Sequence, residues 1–87
     1  MLVNVTINRE SNGKIKIFVI RSRPWNASRA KEFDCSEARG VLIAFGFSAV
    51  MIDEQMEKTK DYGLQKRIDF GDQDLQDDIL KANGLRP

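Results

Sequence analysis

Between Leu2 and Arg21, apolar residues return at every second position on both sides of Ser11-Asn12-Gly13. Val3, Val5 and Ile7 alternate with Asn4, Thr6 and Asn8, and Ile15, Ile17 and Val19 alternate with Lys14, Lys16 and Phe18. Successive strand side chains point to opposite faces, so this pattern predicts a β-hairpin with one aliphatic face. The loop length follows from keeping that face whole. A two-residue Asn12-Gly13 turn sets Ile7 opposite Phe18 and mixes the faces. A three-residue loop with Gly13 left-handed sets Ile7 opposite Ile17 and Val5 opposite Val19, and pairs Glu10 with Lys14 across the strands. A slip of one residue would turn every apolar side chain outward, so the three-residue loop is expected.

An aliphatic sheet face needs a cover, and Phe33–Met56 is the apolar-rich stretch able to supply it. Ala38, Val41, Leu42 and Phe45 recur at helical spacing, then Gly46 offers a left-handed stop and Ser48 an N-cap for a second helix. Asp34, with Glu37 three residues on, has capping-box spacing, and Gly40 suggests close packing on the sheet. In the second helix Ala49, Ile52 and Met56 are expected inward and Glu54–Lys58 outward, with Gly63 as its end. Phe45-Gly46-Phe47-Ser48 is similar to the Gly-Phe turn between the first helices of ubiquitin-associated and RuvA C-terminal domains. Those domains are three-helix bundles without a hairpin, so the likeness is confined to the turn.

The remaining segments are shorter. Pro24 makes Arg21–Ser28 a loop, and Arg29–Phe33 can return as a third strand. Leu64, Ile68 and Phe70 share a phase and predict a strand at Lys66–Phe70. A last helix is expected over Asp72–Ala82, with Leu75, Ile79 and Leu80 apolar, Asn83-Gly84 as its stop and Leu85 folding back. The whole reads as one α+β domain over residues 1–87. Its antiparallel sheet has three to four strands led by the hairpin, with two or three helices on one face.

The residue inventory narrows the chemistry. The 87-residue chain holds no histidine, which removes the Ser-His and Cys-His nucleophile pairs. Cys35 is the single cysteine, consistent with a reducing compartment, and no partner for nucleophilic work accompanies it. Asp69, Asp72, Asp74, Asp77 and Asp78 crowd together, but the glycine and terminal glutamate of a calcium loop do not follow; acids at a helix start need no metal. No glycine-rich phosphate loop occurs. No catalytic, cofactor or metal site is therefore expected, nor a membrane span or signal peptide, and the expected compartment is the cytoplasm.

Charge is lopsided. Residues 1–31 carry seven Lys or Arg against one acid, while the remainder carries seven against twelve. Basic sheet and acidic helices attracting one another within the fold account for this, with an anionic partner as the alternative.

Two surfaces could serve binding. The hairpin's second face carries Asn8, Glu10, Lys14 and Lys16 near the turn and Leu2, Phe18 and Ile20 further along, a candidate protein-contact patch. Lys14, Lys16, Arg21 and Arg23 beside Trp25 form a candidate anion contact able to grip phosphate and stack on a base. The expectation is a small non-enzymatic interaction protein, contacting another protein or itself, as in a homodimer, through a sheet face or edge. A nucleic-acid binder using the basic hairpin is the first alternative. The second rests on general character alone, since the chain is similar to short orphan proteins of bacteriophages and integron cassettes, including anti-CRISPR inhibitors. That resemblance implies an inhibitor of a host or phage complex.

Overall fold

The structure is a computed structural model that describes residues 3–21, 30–71 and 77–85, with the side chains at 3, 20, 21, 69–71 and 77 left aside. The chain runs β1 (Val3–Arg9), β2 (Ile15–Arg21), β3 (Lys31–Phe33), α1 (Cys35–Ala44), α2 (Ala49–Lys58), β4 (Gln65–Gly71) and α3 (Asp77–Ala82). The fold is α+β, with a four-stranded antiparallel sheet in the order β3-β2-β1-β4.

The hairpin forms as its alternation requires. Val5 pairs with Val19 and Ile7 with Ile17. The Glu10 amide donates to the Lys14 carbonyl (2.8 Å) and the Gly13 amide to the Glu10 carbonyl (2.9 Å), with Gly13 at φ +84°. That is the three-residue loop with its left-handed glycine. Glu10 and Lys14 pair through the backbone, but the Glu10 carboxylate goes to Lys16 Nζ instead, at 3.2 Å. The diagonal neighbour on the same face wins it, while Lys14 reaches towards Asp34 at 4.0 Å.

The sheet's edges explain its cover. β3 and β4 lie at opposite edges, so the connection between them must cross the full width of the sheet, and α1 and α2 make that crossing on one face. Val5, Ile7, Ile15, Ile17 and Val19 are fully buried beneath them, joined by Ala38, Leu42, Phe45, Ile52 and Ile68. Leu80 of α3 and Leu85 just beyond it complete the same core. The side chain of Val3 and the expected helix start at Asp72–Leu75 lie outside the described residues.

The α1–α2 corner is a full Schellman end. Gly46, at φ +102°, donates to Ile43 (2.9 Å) and Phe47 to Leu42 (3.2 Å), with Phe47 and Leu42 both buried. Ser48 Oγ then accepts from the Met51 amide (3.2 Å) and starts α2. The same motif ends α3, where Gly84 donates to Lys81 (3.1 Å) and Leu85 to Leu80 (2.8 Å).

Five expectations need correction. Asp34 occupies the N-cap of α1, but its side chain accepts no capping bond, so no capping box forms. Gly40 faces open space rather than the sheet, since a Cβ there meets nothing within 4 Å. Ala49 is exposed, because the first turn of α2 projects past the edge of the core and only from Ile52 onward is the helix pressed against it. α2 ends at Lys58 with Thr59 as C-cap, and Gly63 instead turns the chain into β4, its amide donating to the Arg9 carbonyl (2.7 Å). Leu64 precedes β4 and is 40% exposed, leaving Ile68 as the buried residue among the strand's described side chains; that of Phe70 lies outside them.

Candidate functional site

All three helices sit on the aliphatic face, and no described element lies across the other. Its rows follow from the register. β1 contributes Asn4, Thr6 and Asn8, and β2 contributes Lys16 and Phe18. Glu32 of β3 stands opposite Lys16, while Gln65 and Arg67 of β4 stand opposite Asn8 and Thr6. A shallow depression of about 390 Å³ opens here, lined by Thr6, Asn8, Glu10, Lys16, Phe18, Ala30 and Gln65. Phe18 is half-buried and is the aromatic side chain in its lining.

Charge in the depression is cancelled locally. The Glu10 carboxylate takes Lys16 Nζ at 3.2 Å and the Asn8 Nδ2 amide at 3.1 Å on the same oxygen. One Asn8 Nδ2 hydrogen is thereby used, and among the described residues its Oδ1, like that of Asn4, is shielded without a hydrogen-bond partner. A shielded acceptor left unpaired costs about 1–3 kcal/mol, so these two oxygens are a local cost of the face rather than groups open to a partner.

Of the candidate anion contact, the described side chains are those of Lys14 and Lys16. Lys14 leans to Asp34 and Lys16 is held by Glu10. Arg21 ends β2 with its backbone paired to Val3, and its side chain, like Arg23 and Trp25 altogether, lies outside the described residues. Lys31 lies with its Nζ 5.3 Å from the centre of the Phe33 ring. Of the contact patch, Phe18 is on the open face, while Leu2 and the Ile20 side chain are likewise not described.

Arg9 has a role that no sequence pattern announces. It ends β1 on the covered side, and its guanidinium spans the seam between β1, α1 and α2. Nε donates to the Thr59 carbonyl (2.8 Å), Nη2 to the Met56 carbonyl (3.4 Å) and Nη1 to Cys35 Sγ (3.2 Å). A cation on the last carbonyls of a helix is favoured by both hydrogen bonding and the macrodipole. Thr59 is itself fully buried, with its hydroxyl returned to Met56 (2.9 Å). Part of the basic excess in the first third is thus consumed inside the fold.

Cys35 is exposed at the first position of α1, beside Arg9 and 3.6 Å from the Gly13 carbonyl. Among the described residues no three His, Cys, Asp or Glu side chains gather where a metal ion could be held. Likewise, no helix among them is long and apolar enough to cross a membrane. Comparison of the chain with protein-family models, curated proteins and solved structures returns no match.

Proposed function

We propose that this protein is a non-enzymatic binding module whose contact surface is the open face of the sheet, centred on Phe18. The observation that carries the reading is the one-sided cover among the described residues: a half-buried aromatic sits in a depression among amides, a hydroxyl and a neutralised ion pair. An aromatic anchor ringed by hydrogen-bonding groups is the composition of a protein-contact centre.

The face is favoured over the edges. Both edge strands carry a lysine in the row that belongs to the covered side, Lys31 opposite Ile17 and Lys66 opposite Ile7. A further strand added at either edge would have to bury that charge next to its own apolar row, which is how natural sheets discourage edge pairing. The described part of the face is also too polar for a permanent dimer, whose interface resembles a core cut in half; a separate, reversible partner fits it better. Nucleic acid fits less well, because Arg9, Lys14 and Lys16 are each engaged within the chain and the depression holds Glu10.

The test is capture of partners with the intact protein as bait, compared with Phe18→Ser and with Val50→Ser, a change at a 79% exposed position of α2. Loss of a dominant partner with Phe18→Ser alone supports the reading. A partner retained by a folded Phe18→Ser protein would overturn it, as would oligonucleotide binding that falls steeply with salt and survives the substitution.

A further inference from the structure

We draw no further inference here: the strongest candidate, the exposed apolar side chains Ile43, Val50 and Met51 around the α1–α2 corner, carries nothing because no feature of the structure shows what covers them.

Discussion

Ile17 and Phe18 are adjacent in β2, yet they belong to two different surfaces. Ile17 is fully buried among aliphatic neighbours from both strands and the helices above them, while Phe18 stands half-buried among Thr6, Asn8 and Lys16. On the covered face even the polar residue at the rim is spoken for, since Arg9 is committed to α2. On the open face, Phe18 stays half-exposed among polar neighbours. One strand pattern of period two therefore builds both a core and a mixed polar and aromatic second surface. The contrast separates residues that hold the fold from residues available to a partner.

The sharpest way to break that contrast is to truncate both neighbours. Ile17→Ala should cost about 2–5 kcal/mol in urea unfolding, a large share of the about 5–15 kcal/mol that holds a typical domain. Phe18→Ser should cost no more than about 1 kcal/mol while removing partner capture. Equal costs would mean that the second face is also part of a core.

A second comparison sets Arg9→Ala against Lys16→Ala. The first removes the short bond to the Thr59 carbonyl, while the Met56 carbonyl keeps the Thr59 amide and hydroxyl, and should cost about 1–3 kcal/mol. The second breaks a half-exposed pair with Glu10 and should cost about 0–1 kcal/mol. Similar losses would show that both basic residues are equally structural.

The cover itself can be loosened at its corner. Ser48→Ala should cost about 1 kcal/mol through the lost cap. Gly46→Ala should cost about 1–2 kcal/mol, because a side chain at φ +102° is strained. If capture through Phe18 persists in these weakened but folded proteins, the open face works independently of the helix corner.

The smallest expected effect is one of pH. Arg39 and Asp53 join α1 to α2 by two bonds of 2.9 and 3.3 Å. The Arg39 hydrogen bond holds the Asp53 carboxyl below its usual range, against an opposing desolvation and with a smaller contribution from the Arg39 charge. A carboxylate depressed in the folded state contributes stability above its unfolded pKa, near 4, and that contribution is lost as pH falls through the lower folded value. Asp53→Asn should therefore slightly reduce stability at pH 7 and leave it unchanged near pH 2. Because the pair is exposed, added salt should shrink the difference.

Much of this architecture is legible in local signals. The hairpin register follows from alternation plus one glycine, and the α1–α2 corner from Gly46 and Ser48, because each depends on residues close in sequence. Phe18 falls on the second face for the same reason. What escapes such reading is whatever depends on distant partners. Nothing local shows that Glu10 prefers Lys16 to Lys14, that Gly40 looks outward, or that the first turn of α2 overshoots the core. Arg9 reads as surface charge because its acceptors are backbone carbonyls some fifty residues away, and carbonyls carry no sequence signature.

The reach of Arg9 also bears on the order in which the chain assembles. Closing a loop of that length is entropically costly until hydrophobic contacts hold its ends together. The final turn of α2 should lock only after the hairpin has docked beneath the helices. In native-state hydrogen exchange, amides at the end of that helix and in β1 should then open as one unit.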